Sequence, residues 1–214
     1  MKGTQIVSTA NATLQNRMNI SIVFNFLRDV GVSYRAEIAR QLKLSLPAVS
    51  RAVEKLIEQG YVVEGEKIST ETGKKAVSVK INLQKGAVLG VDMLTERVRF
   101  ALFDLNGNLI DSYSGGSLSE SKNITADLTR DIKTFLAGRK KNGGGKNSKI
   151  QSIAIGVPAV VDVNTQTITN AYLYNGLEHA DLKGELAKEF DTSVYVENIV
   201  KMAALGEYNY GQGE

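Results

Sequence analysis

The chain has 214 residues, 43% of them hydrophobic and 23% charged, the balance of an ordinary folded protein with room for one large or two modest domains. No apolar run reaches the roughly 18 residues needed to span a bilayer, the start MKGTQIVSTANATLQ lacks the apolar core of a secretory signal, and the absence of cysteine excludes disulfides and thiolate metal sites. These features set the expectation of a cytoplasmic protein with no membrane partner. The formal charge of +3 is unevenly spread: residues 1–82 carry 12 Lys/Arg against 7 Asp/Glu, whereas residues 83–214 carry 14 against 16. A basic module followed by a slightly acidic one fits phosphate binding at the amino-terminal end.

Residues 14–30 predict a helix. Leu14, Met18, Ile22, Phe26 and Val30 recur at helical spacing, Val23 and Leu27 widen the stripe, and Gly31 is a natural stop. A short second helix is expected over Arg35–Leu42, with Ile38, Ala39 and Leu42 inward. After the turn Lys43-Leu44-Ser45, Ser45 is a good N-cap and Pro47 is tolerated in a first helical turn. The third helix then runs to about Gln59, burying Val49, Val53, Leu56 and Ile57, and Gly60 ends it. Its other face offers Ala48, Ser50, Arg51 and Lys55. Small residues let that end approach a major groove closely, and the two cations reach phosphates or base edges.

The period changes after Gly60. YVVEGEK and AVSVKIN read as two strands joined through STETGKK, where Gly73 marks the turn. Lys74 and Lys75 stand at the tip of this wing and gain by displacing counterions from DNA. The candidate DNA contacts are therefore Arg35, Ser45, Pro47, Ala48, Ser50, Arg51, Lys55, Lys74 and Lys75. The alternative is a small helical domain that contacts another protein. A capped helix after a three-residue turn, followed by a hairpin with a cationic tip, favours a winged helix-turn-helix over residues 1–82.

From Ala87 the pattern becomes AVLGVDML, RVRFALFD and NLIDSYSG, three strands with a tight turn at Asn106-Gly107. A helix over Asn123–Lys140, the glycine-rich loop KKNGGGKNSK and the strand IQSIAIGV follow. TQTIT and SVYVE read as further strands, and Leu182–Phe190 and Val200–Tyr208 as helices. This order matches the first lobe of the ribonuclease-H-like, actin-like ATPase fold over residues 83–214, so the whole chain is expected to be α+β. In such a sheet Asp92, the 156–162 loop and Glu197-Asn198 converge beyond the strand ends.

The run RAEIARQLKLSLPAVSRAVEKLIEQGYVVE, with TGKKAVSVKINL behind it, resembles the repressor branch of the ROK family (repressor, open reading frame, kinase). So do VLGVDMLTERVRFALFDLNGNLI, IAIGVPAVVD and VYVENIVKMAALGEYNYGQG. The resemblance implies a sugar-responsive repressor, a homodimer whose partners are operator DNA and a small carbohydrate effector. Kinase members keep an Asp-x-Gly-x-Thr-like phosphate loop; here the stretch is Asp92-Met93-Leu94-Thr95-Glu96-Arg97, without the glycines that admit a nucleotide. They also carry Glu-Asn-Asp, whose aspartate takes the sugar proton, whereas this chain has Glu197-Asn198-Ile199. Ala159 replaces the second glycine of Gly-x-Pro-Gly, and Leu173 replaces a sugar-contacting asparagine, with Asn175 nearby as a substitute.

The expectation is no catalysis, no cofactor and no metal. The family's second lobe, with its Glu-x-Gly-His segment and cysteine-rich zinc motif, does not occur, so the chain is read as a fragment or a truncated relative with uncovered apolar surface. Asn175, His179, Glu197 and Asn198 are the candidate sugar contacts. Asn198 reads equally as an N-cap, and Asp92 as a structural strand-end carboxylate. Two other functions remain open: an ATP-dependent sugar kinase, and a constitutive DNA-binding or dimerisation protein.

Overall fold

The computed structural model describes residues 2–70, 73–94, 97–141, 149–171, 173–174 and 176–211, without the side chains of 2–12, 140 and 141. The chain divides into two compact units, Met1–Lys85 with Leu105–Gly107, and Gly86–Asp104 with Asn108–Glu214. The sequence expectation drew its boundary after residue 82. No helix among the described residues is long and apolar enough to cross a membrane.

The first unit contains α1 (Lys2–Val30), β1 (Val32–Tyr34), α2 (Arg35–Leu42), α3 (Leu46–Glu58), β2 (Val62–Ser69) and β3 (Lys75–Ile81). The helix-turn-helix and the two long strands form where the sequence places them, and Gly60 ends α3 at φ 77°, a conformation that glycine adopts without strain. Two features differ. Helix α1 begins at Lys2 rather than near Leu14, and the short strand β1 was not foreseen. It adds to β3 on the side opposite β2, giving the sheet order β1-β3-β2.

The buried face of α1 is corrected in part. Leu14, Met18, Ile22 and Val30 are exposed, whereas Val23 and Leu27 are buried as expected, with Asn19 beside them. These lie at i, i+4 and i+8, an equally regular stripe rotated round the same helix. They meet a core of Ile38, Val49, Ala52, Val53, Leu56, Val62, Val79 and Ile81, and Phe24 packs edge-on to Tyr61 with ring centroids 6.2 Å apart. Counting apolar residues centred the expected face off the true one, because the exposed edge contains more of them than the buried edge of Val23 and Leu27.

The second unit is built on β4 (Ala87–Asp92), β5 (Arg97–Phe103), β6 (Leu109–Ser117), β7 (Ile150–Val157) and β10 (Ser193–Asn198), in the order β10-β7-β4-β5-β6. β4, β7 and β10 are parallel, and β5 and β6 run antiparallel. This is the mixed sheet of the ribonuclease-H-like, actin-like lobe. The 165–169 stretch does not join it. Only Ile168–Thr169 (β9) is a strand, paired with Val160–Val161 (β8) in a separate two-stranded ribbon. The glycine-rich loop falls mostly on 142–148, outside the described residues.

Alternation along the strands sorts the two faces. Leu89, Val91, Phe100, Leu102, Ile153, Ile155, Val194 and Val196 form one buried core with Leu128 and Ile132 of α4 (Ile124–Lys141) and Leu182 and Leu186 of α5 (Leu182–Phe190). On the other face α6 (Ile199–Tyr210) lies against β7 and β10. Beside it is a groove of about 500 Å³ lined by Gly90, Ala101, Phe103, Ser112, Ile199 and Met202. α6 leaves Val200, Leu205, Tyr208 and Tyr210 exposed.

Candidate functional site

The candidate DNA contacts of the first unit are organised by the start of α3. The Ser45 hydroxyl accepts a hydrogen bond from the Ala48 amide at 3.3 Å, with Pro47 in the first turn, so the cap holds one otherwise unpaired N–H and fixes where the helix begins. From there Ala48, Arg51 and Lys55 fall at i, i+3 and i+7. Arg51 is exposed and makes no hydrogen bond or ion pair among the described residues. Lys55 pairs with Glu58 at 2.6 Å, which holds the Glu58 carboxyl below its usual range.

Arg35, at the first turn of α2, reaches across to Glu64 of β2 at 2.8 Å. Its guanidinium therefore ties the helix pair to the wing. At the wing tip the Thr70 amide donates to the Lys74 carbonyl at 2.7 Å and the Gly73 amide to the Thr70 carbonyl at 2.9 Å. Lys74 and Lys75 are both exposed there, while Glu71 and Thr72 of the same turn lie outside the described residues.

In the second unit the strand register brings part of the expected set together. Asp92 of β4 and Glu197 of β10 both stand opposite Gly156 of β7, in one row at the strand ends. Each is occupied. The Asp92 carboxylate accepts from the Leu94 amide at 2.8 Å and forms an ion pair with Arg99 on the neighbouring β5. It also lies near Tyr174, whose phenol is pushed up by burial and then by this charge. Thr95 and Glu96 of the altered phosphate loop fall outside the described residues.

Glu197 binds the Lys201 ammonium at 2.6 Å and accepts from the Asn198 amide at 2.9 Å. These two partners, the lysine first, hold its carboxyl below the usual carboxylate range. Asn198 caps α6: its carbonyl oxygen accepts from the Lys201 amide at 3.0 Å, and its amide nitrogen donates to the Ala159 carbonyl at 2.9 Å. The next residue, Ile199, is 8% exposed. Its side chain occupies the space above Gly156, where an added Cβ would stand 2.2 Å from Cδ1. An acid at 199 would meet this apolar contact.

His179 is elsewhere. It ends a short 3-10 turn, Leu177–His179, and lines a cleft of about 280 Å³ with Gln166, Glu178, Asp181 and Lys183. That cleft contains neither Glu197 nor Asn198. Asn175 lies outside the described residues, and Leu173 is exposed. Among the described residues no group of three or more His, Cys, Asp or Glu is placed to hold a metal ion.

Two sets of residues were not singled out in the sequence. Arg99, which neutralises Asp92, is visible only once β4 and β5 are in register. Asn16 and Asn19 of α1 line a cleft with Arg51 and Lys55 of α3. The signal for Asn19 was a polar residue in step with Val23 and Leu27.

A capped helix in a helix-turn-helix, a cationic wing and an actin-like lobe together define a two-part chain, a winged helix-turn-helix followed by a lobe of the actin-like fold. Residues 88–214 match the ROK family model and residues 32–63 match a winged helix-turn-helix DNA-binding model; the chain belongs to the ROK family. It is 25% identical over 203 residues to the xylose repressor of Caldicellulosiruptor bescii, covering 94% of this chain and 50% of that protein. It is 22% identical over 206 residues to the DNA-binding transcriptional dual regulator NagC of Escherichia coli, covering 95% of this chain and 49% of that protein. The chain thus spans about half the length of these relatives. Among solved structures, a ROK family transcriptional regulator described as a homologue of the E. coli MLC protein superposes with a TM-score of 0.69 at 19% identity. That match covers 91% of this chain and 48% of the other, and it shows the shared fold.

Proposed function

We propose that this chain is the operator-reading module and first sugar-sensing lobe of a sugar-responsive transcriptional repressor. The observation that carries the reading is Arg51. It is a cation without an ion-pair partner among the described residues, on the exposed stripe of a capped helix in a winged helix-turn-helix. Two such modules in a homodimer would read two half-sites of an operator. The effector is a small sugar, a class supported by relatives named as xylose and N-acetylglucosamine repressors. A sugar changes DNA binding only by preferring one conformation of the protein over another. The test is duplex binding over a salt series. Arg51→Ala and Lys74→Ala should each weaken binding and lower the salt slope by about one contact. Unchanged affinity and slope would remove both side chains from the interface.

The chain is not assigned phosphoryl transfer. Ile199 on Gly156 leaves no proton acceptor where the family resemblance places one, and Asp92 is held by Arg99. A phosphoryl-transfer assay over a panel of sugars tests this directly, and robust turnover would overturn it. Titrating the same sugars into a DNA-bound sample separates sensing from constitutive binding. Displacement or tightening by one sugar supports the repressor, and no response to any supports a constitutive DNA-binding protein.

A further inference from the structure

Between α1 and α3 lies a cleft of about 280 Å³ that the helix-turn-helix reading does not use. One wall is the α3 stripe Ala48, Arg51, Ala52 and Lys55; the other is Asn16, Asn19 and Ile20 of α1. Asn19 is the anomaly. It is only 9% exposed, sits in step with the core residues Val23 and Leu27, and its amide has no hydrogen-bond partner among the described residues. The Asn19 amide is not among the described buried groups left without a partner; it meets the open side of the cleft, where an incoming ligand can take its hydrogen bonds. Asn16, one turn earlier on the same face, is also without a partner among the described residues.

The polar groups in the cleft are mostly donors: the Arg51 guanidinium, the Lys55 ammonium and two amide NH₂ groups. Among the described residues no carboxylate lines it. Because Lys55 is shared with Glu58, Arg51 is the dominant charge. Convergent donors around a guanidinium match an oxygen-rich anion, and the cleft opens on the stripe of α3 read as facing DNA.

We propose that the α1/α3 cleft holds one DNA backbone phosphodiester, clasped by Arg51 on one side and by the amides of Asn16 and Asn19 on the other. The inference rests on the DNA-reading function proposed above and assigns α1 a direct part in it. Its role is to set the depth and register of α3, since backbone contacts position a reader without specifying sequence.

The test uses the full chain and several unrelated duplexes, with binding followed by fluorescence anisotropy over a salt series and thermal unfolding of every variant. Asn19→Asp, which keeps the shape but places a carboxylate in the cleft, should weaken all duplexes by about tenfold or more. Asn19→Leu should weaken them by about threefold or more while unfolding at the same or a higher temperature, because it puts an apolar side chain of similar volume at a largely buried position in step with Val23 and Leu27. Asn16→Ala should behave likewise. The neutral variants Asn16→Ala and Asn19→Leu should leave the salt slope unchanged, whereas Arg51→Ala should lower it by about one contact.

Unchanged affinity in Asn16→Ala and both Asn19 variants, with Arg51→Ala still impaired, overturns the clasp and leaves the DNA reading standing. A loss confined to some duplex sequences overturns it in favour of a base contact. Lower stability of Asn19→Leu with unchanged affinity overturns it in favour of a packing role. If wild type binds no duplex, or Arg51→Ala and Lys74→Ala/Lys75→Ala are as tight as wild type, the DNA reading fails and the clasp with it.

Discussion

Ile199 fills the space that Gly156 leaves by having no side chain. A Cβ on Gly156 would stand 2.2 Å from Ile199 Cδ1 and 3.3 Å from its Cβ and Cγ1, closer than packed carbons approach. The contact joins β7 to the start of α6, at the row of strand ends that also contains Asp92 and Glu197.

Gly156→Ala should therefore destabilise the chain by about 1–3 kcal/mol through overpacking. Combined with Ile199→Ala, its cost should fall, because the double variant removes the atoms the new methyl meets. Denaturant melts of the four proteins in the cycle give the coupling directly. Additive losses would show that the two residues do not share the space.

Ile199→Asp restores the residue type that the family resemblance associates with proton abstraction, yet it should not create a kinase. Asp92 remains paired with Arg99, and the new carboxylate would enter an apolar contact that raises its pKa. A folded-state pKa above the unfolded value means the penalty is absent at low pH and grows as pH rises through the unfolded value. Melts at pH 4 and pH 7 should show the larger loss at pH 7, and a sugar phosphorylation assay should show no turnover.

Ser45 separates folding from DNA contact. Ser45→Ala loses the cap and should cost about 0.5–2 kcal/mol. Ser45→Asp keeps a capping oxygen, so its melting temperature should stay near wild type, but its charge at the amino end of α3 opposes a phosphate backbone. Weaker duplex binding by Ser45→Asp at unchanged stability would place that end against DNA; wild-type binding would place it away.

Glu197 gives a pH signature. Lys201 and the Asn198 amide hold its carboxyl below the ordinary range. Its contribution is therefore complete above the ordinary glutamate value of about 4.3, and it is lost as pH falls through the lower folded value. Glu197→Gln should be less stable than wild type at pH 7, and the difference should shrink as pH falls below the ordinary glutamate value. A constant difference across that range would assign the loss to packing instead.

The helix-turn-helix was legible because its signals are local. Ser45, Pro47 and Gly60 punctuate α3, and Val49, Val53 and Leu56 mark its inner face without competition. α1 was harder, since two apolar stripes run along it and only the position of α3 decides between them. The strand order of the lobe was also legible, whereas the Asp92–Arg99 pair depends on register between β4 and β5. His179 is a different case. Its place in NGLEHADL, near where family members contact sugar, made it a candidate alongside Asn198, and the structure gives the two separate surroundings.

The three-residue strand β1 has a consequence for how the DNA reader forms. Val32, Ser33 and Tyr34 pair with Lys80, Val79 and Ser78, so the chain between these pairs, including α2, α3 and β2, is a loop closed at its base. Closing it requires contacts distant in sequence, and such steps set the pace of assembly. The amides of α2, α3 and β3 should accordingly open together in native-state hydrogen exchange, as one cooperative unit. A proline at Ser33, which removes a main-chain donor, should loosen the recognition helix from a distance.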